Sequence, residues 1–96
     1  MRVEWDEAKN FANRRGHGIS FEEAEQLFAS GSDYLEIFDE AHSDFEDRFI
    51  AIGPVSRGLI LVVWTECDED SVRIISARWA NEREQSLYHS YRDTSL

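Results

Sequence analysis

The feature that most restricts the fold is the unbroken apolar run from Leu59 to Trp64, Leu-Ile-Leu-Val-Val-Trp. An extended chain puts successive side chains on opposite faces, so this run is apolar on both, as a central strand is. It falls far short of the roughly 18 consecutive apolar residues that a membrane span needs. Its neighbours fit around it. Residues 48–55, Arg-Phe-Ile-Ala-Ile-Gly-Pro-Val, read as a strand, and Ser56-Arg57-Gly58 is the turn of a hairpin between the two. After the turn Cys67-Asp68-Glu69-Asp70, Val72 to Arg78 returns as a third strand. Strict alternation puts Arg73, Ile75 and Ala77 on one face and Val72, Ile74, Ser76 and Arg78 on the other. Leu35 to Phe38 extends the sheet to a fourth strand, followed by an acidic turn from Asp39 to Asp47.

Helices flank this sheet in the sequence. Asp6 is the expected N-cap of the first, with Ala8, Phe11 and Ala12 spaced as one buried face, Lys9 and Asn13 sharing a neighbouring one, and Gly16 as its end. Ser20 and Glu23 form a capping box for a second helix that turns Phe21, Ala24, Leu27 and Phe28 inward and ends near Ser30-Gly31. Asn81 and Glu84 form a similar box for a last helix, in which Leu87, Tyr88 and Tyr91 are expected to pack. The expected fold is one α+β domain over residues 1–96, a small antiparallel sheet of three or four strands packed with two N-terminal helices and one C-terminal helix. The start, Met1 to Asp6, has no apolar signal core, and a single cysteine, Cys67, fits a reducing cytoplasm as a buried or incidental thiol.

Charge narrows the function. The chain carries 20 acids against 10 bases, a formal net charge of −10 that argues against a simple nucleic-acid-binding surface. The acids are concentrated, however. Residues 20–47 hold ten acids and no base, and residues 66–72 hold four acids and no base, so the rest of the chain is net positive. Nine of the ten bases are arginine, whose planar fork suits phosphate and never deprotonates. His17, His42 and His89 stand in separate elements with no i, i+4 pair and no cysteine companion, which gives zinc little support. There is no glycine-rich phosphate loop and no serine-nucleophile elbow. What remains is a set of arginines, a lysine and histidines suited to stabilising a phosphorane with no metal or other cofactor.

The pattern Trp5-Asp6-x-x-Lys9-x-x-x-Asn13, His17-Gly18-Ile19-x-Phe21-Glu22-Glu23-Ala24, Arg48-Phe49-Ile50-Ala51-Ile52-Gly53, Arg73-Ile74-Ile75-Ser76-Ala77-Arg78 and Glu84-x-x-x-Tyr88 resembles the BrnT toxins of bacterial toxin–antitoxin pairs. The resemblance runs from Trp5 to Tyr88, and the three central blocks are specific in combination. It implies a RelE-like fold, an endoribonuclease that halts translation, RNA as substrate, and neutralisation by a BrnA antitoxin with a ribbon-helix-helix domain, through which alone the toxin would meet DNA. It implies a cytoplasmic protein with no membrane contact.

On that resemblance Lys9 and Arg78 match family positions as phosphate or transition-state contacts, and Arg48 and Arg83 join them as catalytic candidates. His17 is the candidate acid or base, since imidazole exchanges protons near neutrality, although it also suits a helix cap. Arg73 and Trp79 are the candidate RNA-binding residues, the indole by stacking on a base. Glu84 fits a capping box and Tyr88 the core. Lys9, Arg48 and Arg78 are expected to converge on one phosphate, and Asp33 to Asp47, with seven acids, to contact the antitoxin or repel stray RNA. Gly16, Cys67 and Gln85 stand where the family commonly has a base, so weak and salt-sensitive cleavage is expected. A second reading follows from these losses: a toxin homologue with an eroded site that serves as a protein-binding module in a repressor complex.

Overall fold

Five strands, not three or four, form the sheet. The computed structural model describes residues 1–29 and 33–94, and its elements are β1 (Arg2–Glu4), α1 (Glu7–His17), α2 (Phe21–Glu25), β2 (Leu35–Phe38), β3 (Arg48–Val55), β4 (Gly58–Asp68), β5 (Ser71–Trp79) and α3 (Glu82–Thr94). A 3-10 turn, Gln26–Phe28, extends α2, and a second, Glu40–His42, lies between β2 and β3. The strand order is β1-β5-β4-β3-β2. β4 is central, as its two apolar faces require. The sheet is mixed, because β1 pairs with β5 in parallel while every other pair is antiparallel. Three residues are too few to show an alternation, so β1 left no periodic signal in the sequence. The expected end of the second helix, Ser30-Gly31, lies outside the described residues.

Register divides the side chains between two cores. On the first face Ala51, Ile60, Val62, Trp64, Val72, Ile74 and Ala77 pack against Ile19, Phe21, Ala24 and Leu27. Phe49 stacks on Trp64 at 4.7 Å, and the Phe28 ring meets Trp64 edge-on at 5.6 Å. On the second face Ile52 and Leu61 meet Ala80 and Tyr88, with Tyr91 alongside. The alternation expected in β5 fails at one point. Val63 pairs with Ser76 but Trp64 with Ile74, so Ile75 is an extra residue, a β-bulge. Ala77 therefore joins Ile74 and Val72 on the first face, while Arg73, Ser76 and Arg78 share the second.

The inner face of α1 is polar, contrary to the apolar spacing of Ala8, Phe11 and Ala12. All three are exposed, Phe11 at 60%, under the Arg15 guanidinium, and the buried residues are Asn10 and Asn13. The cause is the open edge of β5. β1 covers that edge only from Ser71 to Arg73, which leaves the backbone at Ala77 unpaired. Asn13 completes it: its Nδ2 donates to the Ala77 carbonyl at 2.8 Å and to the Ile19 carbonyl at 2.9 Å, and its Oδ1 accepts the Ala77 N–H at 3.1 Å. The side-chain amide thus replaces the missing strand. Asn10 does similar work at the start of α2, where its Oδ1 accepts the Phe21 N–H at 2.8 Å. The helix passes Gly16 and ends at Gly18, which takes the left-handed conformation with φ 73°.

Two further expectations change in detail. Ser20 caps α2 by accepting the Glu23 N–H at 3.0 Å, but the Glu23 carboxylate turns to Arg57 instead of closing the box. Cys67 is exposed, with its thiol 3.3 Å from Glu4. Gly53 marks the closest approach of the sheet to the chain above it. A Cβ there would stand 2.7 Å from Leu27 Cδ1, 2.8 Å from Tyr34 Cβ and 3.2 Å from the Asp33 carbonyl. Gly53→Ala is therefore expected to destabilise by about 2 to 3 kcal/mol through overpacking, read as a lower midpoint in urea, and an unchanged midpoint contradicts the contact.

Candidate functional site

The second face of the sheet is only half covered. Tyr88 and Ala80 of the α3 region pack on the row formed by Leu61 and Ile52. Tyr91 at the far end of α3 donates to Asp33 at 3.0 Å, so the helix crosses the strands at one end of the sheet. The other end carries Ile50, Val63 and Ser76, half-buried, with Arg48, Thr65 and Arg73 in one cross-strand row. This shelf is bounded by the first turns of α3 on one side and by the 39–47 loop on the other. Where α3 meets the shelf, Ile37, Ile50, Ile52 and Leu61 floor a groove of about 260 Å³ edged by Arg83, Glu84 and Leu87. Leu87, expected to pack, is exposed along this groove.

Four of the expected site residues share that side. Arg78 is the most firmly held: its two Nη atoms donate to the two Glu84 carboxylate oxygens at 2.8 and 2.7 Å. Glu84 also accepts the Asn81 N–H at 2.9 Å while its own N–H donates to Asn81 Oδ1 at 2.9 Å, a complete capping box at the start of α3. Hydrogen bonding from Arg78, ahead of every other cause, holds the Glu84 carboxyl below the usual range. Arg48 lies 3.6 Å from Glu46, and Arg73 3.5 Å from Glu4. Both are long contacts between partly exposed groups, and such pairs contribute little. Arg83 has no ion pair among the described residues.

Arg48 and Arg78 do not converge on one phosphate. They pair with Thr65 and Leu61 of β4, four residues apart, and lie one strand to each side of it. Their Cα atoms are thus about 16 Å apart by strand geometry, and their guanidiniums turn to different carboxylates. Lys9 sits on α1, one turn before Asn13, on the flank away from α2 and at the open edge of β5. Among the described residues it has no carboxylate partner. His17, in the last turn of α1, and Trp79 lie beyond the Arg78 end. Trp79 pairs with Ile60 and so points to the first face, where the Arg57 guanidinium stacks over its ring at 5.0 Å. Arg57 in turn donates to Glu23 and to the Gly18 carbonyl, fastening the β3–β4 hairpin to the α1–α2 connection.

The residues that sequence spacing missed lie in the 39–47 loop. His42 Nδ1 is 3.0 and 3.1 Å from the two carboxylate oxygens of Asp39. An Asp three residues before a His is the only local signal, and it carries no weight without the turn that brings the two together. Of the three bases that the family pattern would add, Gly16 faces open space, Cys67 faces Glu4, and the Gln85 amide donates to the Ala80 carbonyl at 2.9 Å.

A family model described as the ribonuclease toxin BrnT of type II toxin–antitoxin systems matches residues 5–84. The chain belongs to the BrnT family. Among solved structures, the ribonuclease toxin BrnT of Brucella abortus superposes with a TM-score of 0.65 and 24% identity, covering 85% of this chain and 99% of that one. A likeness at that identity speaks to the fold, an α+β domain with three helices on a mixed sheet. No curated protein matches the sequence. Among the described residues no helix is long and apolar enough to cross a membrane. As a member of this family the chain is a ribonuclease toxin of a type II pair, with an antitoxin as partner and RNA as substrate.

Proposed function

We propose that this BrnT-family chain is a metal-independent endoribonuclease that acts in the cytoplasm, cuts RNA by a RelE-like transesterification to stop translation, and works on the half-covered face beside α3. The observation that carries this reading is the placement of Arg48, Arg73, Arg78 and Arg83 on that one side, around a shelf that α3 leaves open. Spread over about 16 Å along the strand register, they suit successive phosphates of a single strand better than one. The ribose 2′-hydroxyl attacks the adjacent phosphorus, and guanidiniums meet the charge that grows on the phosphorane. Lys9 adds charge at the β5 edge, while His17 lies beyond the reacting phosphate and Trp79 is turned to the opposite face.

The pairing of three of these arginines with acids favours the second reading, the eroded binding module. Two of the three pairs are long and exposed, however, and a phosphate displaces such partners at little cost. The acidic stretch from Asp33 to Asp47 is proposed as the antitoxin contact. It combines seven acids with exposed Ile37, Phe38 and Phe45, a surface suited to a basic, amphipathic segment of a BrnA-like ribbon-helix-helix protein. Expression of this chain alone is expected to arrest growth, and co-expression of the antitoxin to reverse the arrest. Growth unaffected by the chain alone supports the module instead.

A further inference from the structure

We propose that His42, oriented by Asp39 and acting beside Arg48, is the general base of this cleavage. The inference rests on the ribonuclease reading and names a residue that the motif pattern leaves out. His42 is the one histidine held by a carboxylate among the described residues. Asp39, 15% exposed, faces Nδ1 with both oxygens, whereas the His42 side chain is 70% exposed. A carboxylate only accepts, so Nδ1 of the neutral ring carries the proton and Nε2 keeps its lone pair. His42 and Arg48 line the same open cleft of about 230 Å³, together with Phe45.

The pair is fixed to the sheet, not hung on a free loop. Ser43 Oγ donates to the Asp39 carbonyl at 2.6 Å and accepts the Arg48 N–H at 3.0 Å. The Asp39 N–H donates to the Arg48 carbonyl at 2.8 Å, and the His42 N–H to the Asp39 carbonyl at 3.2 Å. The imidazole, its carboxylate and the start of β3 therefore form one unit. Within it, the Arg48 side chain is 35% exposed and its Nη2 makes only a 3.6 Å contact to Glu46, so the outer edge of the guanidinium can turn to a phosphate. Among the described residues His17 has no such carboxylate and lies at the other end of the sheet, and His89 stands on α3 against the Tyr88 ring.

The step balances without a metal or redox partner. As the O2′–P bond forms, the 2′-hydroxyl gives its proton to His42 Nε2, and Arg48 faces the charge on the phosphorane oxygens. The P–O5′ bond breaks, the 5′-oxygen takes a proton from water, and the imidazolium returns its proton to water. The products are a 2′,3′-cyclic phosphate and a 5′-hydroxyl. Asp39 is a positioning residue in this scheme, since it touches the ring and not the RNA.

His42→Ala is expected to slow cleavage of a single-stranded RNA by about a hundredfold, the low end of what a positioned base contributes. Its melting temperature and its affinity for a fully 2′-O-methylated oligonucleotide, which binds but has no attacking hydroxyl, should match wild type. Free imidazole should restore part of the lost rate, an effect that a purely structural residue does not show. Asp39→Asn should lower the rate without lowering that affinity, and His89→Ala should cleave like wild type. A His42→Ala variant that cleaves at the wild-type rate overturns the assignment, as does a slow variant that has lost affinity and gains nothing from imidazole. If the wild-type chain leaves RNA intact, the ribonuclease reading fails and this role fails with it.

Discussion

Asn13→Ala is expected to lower stability by about 3 kcal/mol, the largest loss for any single side chain on α1. The change deletes three buried hydrogen bonds at once, to the Ile19 carbonyl and to both backbone groups of Ala77. Each backbone group left dry and unpaired costs about 1 to 3 kcal/mol, and partial entry of water at the sheet edge offsets some of that sum. For a domain of this size the melting temperature should fall by roughly 15 °C. Asn13→Asp should be at least as damaging, because a carboxylate cannot donate and would face two carbonyl oxygens. Thermal unfolding followed by circular dichroism decides it. A loss below about 1 kcal/mol means that the edge of β5 finds other partners and that Asn13 is not what closes the sheet.

Arg78→Ala is expected to reduce RNA cleavage by about ten- to a hundredfold, the worth of a charge-assisted hydrogen bond to a phosphate that lies along the strand from the one Arg48 faces. It should also lower the dependence of log affinity on log salt by about one phosphate contact. The bidentate pair with Glu84 holds the guanidinium in place, so its entropy is already restricted before RNA arrives. Glu84→Gln separates the two functions of the pair. The amide keeps an oxygen for the Asn81 cap but frees Arg78 from its counter-charge, so RNA affinity should hold or rise while stability falls. The pH dependence has a definite sign. The Glu84 carboxyl lies below its usual range in the fold, so its contribution is present above the unfolded value and is lost as pH falls through the lowered one. In Glu84→Gln that part of the acid loss should disappear.

The sequence pattern specified β3, β4, β5 and the N-caps of all three helices, because period-two and capping signals are local. Three features escaped it. β1 is too short to alternate, and its parallel pairing with β5 depends on how the connecting helices fold back. The bulge at Ile75 shifts one residue of β5 and so moves Ala77 to the opposite face, which no alternation within β5 reveals. Phe11 and Asn13 exchange their expected environments because α1 meets a strand edge with unpaired backbone, where an amide is worth more than an apolar side chain. The candidate site divided in the same way. The arginines were legible as a residue type suited to phosphate, and the fold puts four on one side. His42 was not legible, since its partner Asp39 and its neighbour Arg48 are assembled by a 3-10 turn and by Ser43.

The most direct test of the ribonuclease assignment is cleavage of an end-labelled single-stranded RNA by the purified, antitoxin-free chain in excess EDTA, with the fragment ends identified. Cleavage that persists in EDTA, leaves 2′,3′-cyclic phosphate and 5′-hydroxyl ends, and is weakened in Arg78→Ala is the expected result. RNA that stays intact in EDTA and is cut only when a divalent cation is returned, or cleavage that Arg78→Ala leaves unchanged, contradicts it.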